Sequence, residues 1–379
     1  MIEVRQVQTK KEQRDFLQFP LRLYKNNPYF VPPLYGDEKK LFRSDYVYYD
    51  TCEAVYFNAY RGSEMVGRIS GILQKASNEK TGEKRIRFTR FDAVNDKEVA
   101  KALFDTLEAW ALEKGMDTIC GPLGFSDLER EGLLIEGFDQ MSTFEEQYNA
   151  PYYKELIEAL GYEKEVDWVE SQVRAPKDEA SIVQMEQMAD RIFERYRLHI
   201  GKAKNTRDFL NKYADEFFDL LDVSYKDIYG TVPFTEGMKK MMMDNFKLII
   251  DMRFVAVVLD ENDKVVCLGI CFPAIGKAVQ RSGGRLTPWT LLKLLKAIKH
   301  PKSIDLGLVG VAPEYLSKGI STSFMASLAR MLQQPGIDHA DTNLNLENNY
   351  AIRNGWKRFD SFENKRRRSF IKHLKENEG

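Results

Sequence analysis

A strand-to-helix connection near residue 315 carries the residues best suited to hold an anionic ligand. The run 309–321 (VGVAPEYLSKGIS) ends an apolar strand and opens a helix. Backbone N–H groups at a helix N-terminus lack intrahelical acceptors, and the helix dipole adds partial positive charge there. Small side chains at Ser317, Gly319 and Ser321 let a phosphate approach the backbone, and Lys318 adds a side-chain donor. The pattern therefore predicts a diphosphate site.

The elements that must position this connection occur twice along the chain. The first half predicts a hairpin and a third strand, then helix, strand, helix, strand, over 54–60, 65–73, 85–92, 97–114, 117–121, 151–160 and 162–170. The second half repeats that order over 252–259, 264–272, 303–311, 319–334, 337–346, 349–358 and 364–373, after a helical block at 181–247. We expect an α/β (α+β) protein with domains 1–175 and 176–379, each a mixed, mostly antiparallel sheet flanked by helices.

Composition excludes several classes of protein. The 379 residues are 43% hydrophobic and 30% charged with a formal net charge of -1, which indicates about two globular domains and no nucleic-acid partner. The basic run 365–368 is interpreted as part of a sheet strand. No apolar run approaches the ~20 residues of a membrane span, and the N-terminus lacks a signal-peptide core, so we expect a cytoplasmic protein. Cys267 and Cys271 are expected to be buried thiols, with no metal site.

The strand-to-helix connection resembles the acyl-CoA pyrophosphate loop of the GNAT N-acetyltransferase superfamily. Segments 27–34 (NPYFVPPL) and 148–153 (YNAPYY) resemble a tandem bacterial subgroup of that superfamily, and the likeness covers nearly the whole chain. The resemblance implies two GNAT-like halves and acetyl-CoA or another acyl-CoA as co-substrate. It implies these cofactor-binding residues: Val309, Val311, Leu316, Ser317, Lys318, Gly319, Ile320, Ser321 and Asn349.

The sequence departs from the superfamily pattern at three loop positions. Leu316 stands where Gln or Arg is usual, while Ser317 and Ser321 stand where Gly is common. The corresponding turn of the first half, 92–97, contains no glycine, and its Asp92 and Asp96 are expected to cap the following helix. The first half is therefore expected to be a structural or substrate-shaping partner without a CoA loop.

The resemblance also implies transfer of an acyl group from a thioester to a small-molecule or peptide amine. Such a reaction needs a deprotonated amine, a donor for the oxyanion and a proton for the thiolate. We expect the backbone N–H near Val311 to be the oxyanion donor, Glu347 or else Asp305 the base, and Tyr350 the proton donor. The structural alternatives are a helix-start charge for Glu347, a strand-edge salt bridge for Asp305 and packing for Tyr350. Asn349 also fits an N-cap.

Two further segments are candidates for shaping a substrate site. The connection 122–149 is long for a compact domain, and it either folds over a cleft or covers the sheet. Segment 285–300 predicts a basic amphipathic helix with Trp289, Leu292, Leu295 and Ile298 on one face and lysines opposite. That helix packs on the protein, covers an acyl or acceptor pocket, or makes a peripheral membrane contact.

Three functions remain open from the sequence. The first is an acyl-CoA-dependent N-acyltransferase that transfers an acetyl or longer acyl group. The second is a non-catalytic binding module that keeps the fold, which the departures at Leu316 and Ser321 favour. The third is an aminoacyl or long-chain acyl transferase. The sequence does not identify the acceptor or the oligomeric state.

Overall fold

A computed structural model describes residues 1–374 of the chain. The strands are β1 (Ile2–Gln6), β2 (Cys52–Arg61), β3 (Glu64–Gln74), β4 (Arg85–Ala93), β5 (Thr118–Gly121), β6 (Leu133–Glu136), β7 (Glu163–Arg174), β8 (His199–Ile200), β9 (Val255–Leu259), β10 (Val265–Pro273), β11 (Ser303–Val311), β12 (His339–Asp341), β13 (Asn345–Leu346) and β14 (Asp360–His373).

The helices lie between these strands. They are α1 (Lys10–Leu23), α2 (Tyr35–Glu38), α3 (Lys75–Thr81), α4 (Lys97–Glu113), α5 (Tyr153–Glu158), α6 (Glu179–Tyr196), α7 (Thr206–Tyr225), α8 (Glu236–Ile249), α9 (Gly276–Gln280), α10 (Pro288–Lys299), α11 (Pro313–Leu316), α12 (Ser321–Leu332) and α13 (Tyr350–Trp356). Short 3-10 helices cover Lys39–Phe42, Val47–Asp50 and Met252–Phe254. Within residues 1–374, no helix combines the length and apolar character required to cross a bilayer.

The chain divides into two compact units. Among the described residues, the first comprises Met1–Val169, Gly276–Leu291 and 365–374, and the second comprises Glu170–Ile275 and Leu292–Asn364. Each unit therefore takes in residues from both halves of the chain. The division into domains 1–175 and 176–379 stays a prediction about the sequence repeat.

The first unit contains a mixed sheet in the order β1-β2-β3-β4-β5-β14. Its neighbouring strands are antiparallel except for β4 and β5, which are parallel over three residue pairs, Arg85–Thr118 to Arg87–Cys120. Helix α4 connects the parallel pair and buries an apolar face, with Val99, Leu103 and Leu107 fully inaccessible to solvent. That face packs on the sheet and forms the core of this unit.

The second unit contains a sheet of the same kind, in the order β7-β12-β11-β10-β9-β8. Only β11 and β12 are parallel, and α12 connects them. Leu328 and Ala329 of α12 pack with Ile182 and Met185 of α6 over Ile304 of β11. The predicted α/β class with mostly antiparallel sheets flanked by helices is confirmed.

One strand in each sheet comes from the opposite half of the sequence. Residues 370–373 of β14 pair with β5 in the first unit, and Gln172 and Val173 of β7 pair with β12 in the second unit. These pairings join residues more than 160 positions apart. The sequence did not predict them, because alternation of apolar residues identifies a strand but not its neighbour.

Three predicted segments differ from the structure. The predicted strand 337–346 is broken into β12 and β13, because Thr342 donates its backbone N–H to Ser171 O while the side-chain amide of Asn343 binds Gly307 O. Segment 122–149 contains β6 and is ordered around it. The predicted start of a strand at Met252 is instead a 3-10 turn.

Candidate functional site

The parallel strands β11 and β12 separate soon after they pair. They are paired from Ser303–His339 to Asp305–Asp341, whereas β11 continues to Val311. Beyond the paired residues, the side-chain amide of Asn343 donates to Gly307 O at 2.7 Å. The remaining edge of β11 therefore lies in an opening between two parallel strands, a position where α/β proteins place ligands.

A β-bulge lies at the start of this opening. On the other side of β11, Ile270 pairs with Leu308 and Cys271 with Leu306, which leaves Gly307 as an extra residue. A Cβ atom at Gly307 would lie 2.3 Å from Cε2 of Phe272, so this close approach requires glycine. Bulges of this kind change the direction of a strand and are common next to active sites.

The bend between β11 and α12 contains backbone amides without an acceptor; Gly319 and Ser321 are at least partly exposed, whereas Ile320 is buried. Gly319 has a φ of +78°, a left-handed conformation that favours glycine. Within the described residues, the N–H groups of Gly319, Ile320 and Ser321 have no acceptor, whereas the N–H of Lys318 donates to Tyr315 O at 3.0 Å. The first turn of α12 contains no acidic residue. Three successive amides at a twelve-residue helix are suited to bind an anion.

The ammonium of Lys318 rests on aromatic rings. It lies 4.2 Å from the ring centroid of Tyr315 and 4.9 Å from that of Tyr196. No carboxylate in residues 1–374 forms an ion pair with Lys318. Its cation–π contacts leave the positive charge beside the bend, where it favours an anionic ligand. The neighbouring Leu316, at the position of the usual polar residue, is 63% exposed and adds no donor.

The edge of β11 is occupied by hydroxyl groups from the end of α7. Ser224 accepts from the N–H of Val311 at 3.2 Å and donates to its carbonyl at 3.0 Å. The hydroxyl of Tyr225 does the same to Val309, at 3.3 and 3.1 Å. The N–H that the sequence predicts as the oxyanion donor is therefore already bonded, and a ligand reaches it only if the end of α7 moves.

The candidate catalytic residues lie on three different elements. Asp305 is buried on β11, where β11 and β12 begin to separate. Glu347 lies after β13 and is half-buried, and its carbonyl accepts from Arg353. Tyr350 begins α13 with 66% of its surface exposed. Asn349 caps α13 by accepting from the N–H of Ile352, as the structural alternative predicted.

A histidine on the strand that pairs with the Asp305 segment was not identified from the sequence. His339 begins β12, opposite Ser303, and its two ring nitrogens lie 2.7 Å from Asp338 and 3.3 Å from Asp341. Burial alone would lower the pKa of His339, but hydrogen bonds to Asp341 and Asp338 outweigh it and raise that pKa. The sequence signal that could have identified this group is the spacing of His339 and Asp341, which are two residues apart and therefore lie on one face of a strand.

In the described part of the first unit, the two acidic residues of the turn 92–97 have different roles. Asp96 caps α4 through the N–H of Glu98, as predicted. Asp92 does not cap a helix, because it is buried on β4 and forms a 2.8 Å ion pair with Arg68. It also accepts from Tyr24 at 3.0 Å. Burial raises the pKa of Asp92 although Arg68 opposes this shift.

Segment 122–149 helps to enclose a cavity of about 180 Å³ within the first unit. The carboxylates and guanidinium groups that line it include a bidentate pair between Arg90 and Glu38, with Glu129 at 3.7 Å from Arg90. Arg130, from the same segment, donates to the carbonyls of Val31 and Phe144. The segment thus lines a polar cavity in addition to covering the sheet.

The cysteines are buried in the second unit as expected. Cys267 and Cys271 lie on β10, and burial raises the pKa of each thiol to about 12. Both are therefore protonated at neutral pH. The part of the chain that the structure describes contains no group of His, Cys, Asp and Glu side chains arranged to hold a metal ion.

Helix α10 does not pack on the protein through the apolar face defined from the sequence, which was one of the three alternatives left open. Trp289, Leu292 and Leu295 are exposed, whereas Thr290 and Leu294 are buried. The apolar residues of α10 cover more than one side of the helix, so the sequence fits either orientation. Packing on the protein buries the side that carries Thr290 and Leu294.

Comparison with known proteins gives distant relatives. No protein-family profile matches the chain. It is 28% identical to protein YghO of Escherichia coli (strain K12) over 389 aligned positions, which cover 98% of this chain and 95% of that protein. It is 27% identical to the bacterial ceramide synthase of Caulobacter vibrioides over 316 positions, which cover 82% of this chain and 80% of that protein.

Solved structures with the same architecture match over the whole chain. A tandem GNAT protein from the clavulanic acid biosynthesis pathway aligns with a TM-score of 0.54, at 11% identity and 100% coverage of both chains. A GCN5-related N-acetyltransferase from Sphaerobacter thermophilus aligns with a TM-score of 0.51, at 10% identity, over 99% of this chain and 96% of that one. The chain therefore has the fold of the GNAT superfamily, as the resemblance of its motifs implied.

Proposed function

We propose that the chain is an acyl-CoA-dependent N-acyltransferase whose second unit holds the acyl-CoA. The observation that carries the proposal is the row of free amides at Gly319, Ile320 and Ser321, beside the opening between β11 and β12. These amides and the ammonium of Lys318 fit a diphosphate. Loss of the usual side-chain donor at Leu316 leaves all three backbone donors in place.

The acyl group and the amine are proposed to be long-chain. The support is the bacterial ceramide synthase, which matches 82% of this chain. A ceramide is an amide between a fatty acyl group and a long-chain amino alcohol, so its synthesis is an N-acyl transfer. The GNAT fold alone favours no chain length, which leaves acetyl transfer as the alternative that substrate comparison tests.

Residues of this chain would carry out the proton transfers and stabilise the oxyanion during acyl transfer. Bound acyl-CoA would supply an activated thioester for attack by the amine. Asp305 and Glu347 are the proposed bases for the ammonium form of the acceptor, and Tyr350 the proposed proton donor to the thiolate. The N–H of Val311 would stabilise the oxyanion once Ser224 releases it.

A second candidate function is a non-catalytic binding module. The observation that favours it is the occupied edge of β11, where Ser224 and Tyr225 take up the backbone groups of Val311 and Val309. A module with this edge permanently closed would bind a diphosphate at α12 without accepting a thioester. Turnover of an acyl-CoA with a long-chain amine would exclude it.

The proposal is tested by placing a charge at the first residue of α12. Ser321→Asp adds a carboxylate that the helix dipole tolerates but that repels a diphosphate. We expect the affinity for palmitoyl-CoA, measured by isothermal titration, to fall at least about tenfold, because repulsion from the added carboxylate offsets about one charge-assisted hydrogen bond, which is worth roughly 1.5–3 kcal/mol. Ser321→Asn is the matched neutral control and should bind like the unaltered chain.

Pantetheine, which lacks the diphosphate, separates the two parts of the site. Its binding should be the same in Ser321→Asp and Ser321→Asn. Equal binding of palmitoyl-CoA by both variants would contradict the assignment of the diphosphate to the α12 amides. A preference for acetyl-CoA over palmitoyl-CoA in turnover would contradict the long-chain substrate.

A further inference from the structure

The outer face of α10 is an exposed apolar surface, which we call the α10 face and define as Leu286, Trp289, Leu291, Leu292 and Leu295. Trp289 is 76% exposed, Leu292 59% and Leu295 55%, and the other two leucines are also about half exposed. Other exposed large apolar residues, such as Leu248 and Val223, are spread singly over other elements. Contiguous exposed apolar groups mark interaction sites, whereas scattered ones do not.

The helix is fixed on the protein by its opposite side, so this exposure is built into the fold. Thr290 and Leu294 are buried beneath it. Before the helix, Gly284 has a φ of +74°, and its carbonyl accepts from the N–H of Tyr35 at 3.0 Å. A Cβ at Gly284 would lie only 1.8 Å from the carbonyl oxygen of Pro33.

The C-terminal end of α10 is held in a similar way. Arg253 donates to the carbonyls of Ile298 and Lys299 at 3.3 and 3.1 Å. These contacts satisfy backbone acceptors that a helix end would otherwise leave to water. The C-terminal end of α10 is therefore fixed within the second unit.

The charge around this helix is of one sign. Between Asp263 and Asp305 the sequence contains no acidic residue but eight basic ones: Lys264, Lys277, Arg281, Arg285, Lys293, Lys296, Lys299 and Lys302. The three lysines of α10 are exposed on the same side as the apolar face, because each follows one of its residues by four positions, whereas the sequence predicted them on the opposite side. The chain as a whole has a formal net charge of -1, so this segment is locally distinct.

We propose that the α10 face binds the surface of an anionic membrane. In this arrangement Trp289, Leu292 and Leu295 enter the boundary between headgroups and acyl chains, and Lys293 and Lys296 contact the anionic headgroups. A one-sided apolar stripe with flanking lysines and an aromatic residue is the pattern of helices that lie in a bilayer interface. A protein partner or a second copy would not require a basic run without carboxylates.

This inference goes beyond the proposed function and does not depend on it. A protein that binds such a surface gains access to long-chain substrates, but the apolar and basic character of α10 is the same whether or not acyl transfer occurs. The two proposals therefore fail by different experiments.

The test uses the full chain with two kinds of vesicle, phosphatidylcholine alone and phosphatidylcholine mixed with phosphatidylglycerol. We expect flotation with the anionic vesicles at least about tenfold stronger than with the neutral ones, since each lysine near an anionic surface contributes roughly a fivefold factor. Added salt should weaken this difference because it screens the lysines. Equal binding to both vesicles, or to neither, would overturn the proposal.

Two variants separate the apolar and basic contributions. Leu292→Ser with Leu295→Ser should lower partitioning about 25-fold, because burying the exposed half of each leucine is worth roughly a fivefold factor. Leu248→Ser, which removes an exposed leucine from α8, is the matched control and should leave partitioning unchanged. Vesicle binding that survives the double substitution would contradict the assignment to α10.

Tryptophan fluorescence reports insertion directly. Trp168 and Trp356 are buried and Trp110 is half-buried, so a blue shift on adding anionic vesicles arises from Trp289 and should disappear in Trp289→Phe. Light scattering tests whether a second copy of the chain covers the α10 face instead of a membrane. A dimer that becomes a monomer in the double leucine variant would show that a second copy covers the face, which would overturn the proposal.

Discussion

The proposed binding of acyl-CoA depends most directly on release of the α7 end from β11. Ser224→Ala combined with Tyr225→Phe removes both hydroxyl groups while keeping the helix and the aromatic ring. In the unaltered chain these hydroxyls make four hydrogen bonds, two to Val311 and two to Val309, at 3.0–3.3 Å. A ligand that pairs with this edge must displace them.

The size of the effect follows from those four bonds. Each is worth about 0.5–1.5 kcal/mol net, so displacing them costs about 2–6 kcal/mol. The double variant does not incur this cost, and its affinity for palmitoyl-CoA should rise at least about tenfold, the equivalent of 1.4 kcal/mol. Its free energy of unfolding should fall by about 2 kcal/mol or more for the same reason.

Isothermal titration with palmitoyl-CoA measures the affinity, and chemical denaturation measures the stability. Thr106→Ala removes a hydroxyl that only bonds within α4, and is the control for hydroxyl loss on a helix. An unchanged or weaker affinity in the double variant would refute the idea that α7 competes with the ligand for β11. Absence of binding by either protein would refute the acyl-CoA site itself.

Three further predictions concern single side chains. Lys318→Met should lower the affinity for coenzyme A about tenfold in titration, because one charge-assisted donor is lost; an unchanged affinity would remove Lys318 from the site. Arg68→Met should lower the free energy of unfolding by about 3–5 kcal/mol in denaturation, because Asp92 stays buried without its counterion. The raised pKa of His339 contributes stability that is complete below its ordinary value of 6.5 and is lost as the pH rises through the raised value. Melting temperatures measured from about pH 6 to about pH 9 should therefore fall less in His339→Asn than in the unaltered chain.

Local features of the fold and the candidate site were determined by the sequence alone. The predicted strand 303–311 coincides with β11, and the predicted helix 319–334 contains α12. These elements follow from apolar periodicity, which records which side of a short segment is buried. The bend at Gly319 was identifiable because free amides, small residues and positive φ are properties of neighbouring residues.

Contacts between distant parts of the chain were decided only by the tertiary structure. Ser224 and Val311 are 87 positions apart, and nothing in either neighbourhood indicates that they meet. The position of His339 beside Asp341 became meaningful only once β12 was paired with β11. The orientation of α10 was also undetermined, because its apolar residues cover more than one face and only packing selects the buried one.

The sequence also did not determine which strands pair with one another in the two sheets. Sequence alternation identifies β7 and β14 as strands near the ends of the two repeats, and the order of the repeats would place each with its own half. In the structure, part of β7 pairs with β12, and part of β14 pairs with β5. A strand's backbone donors and acceptors are the same for any neighbour, so the partner is selected by the side chains that the whole fold brings to its two faces.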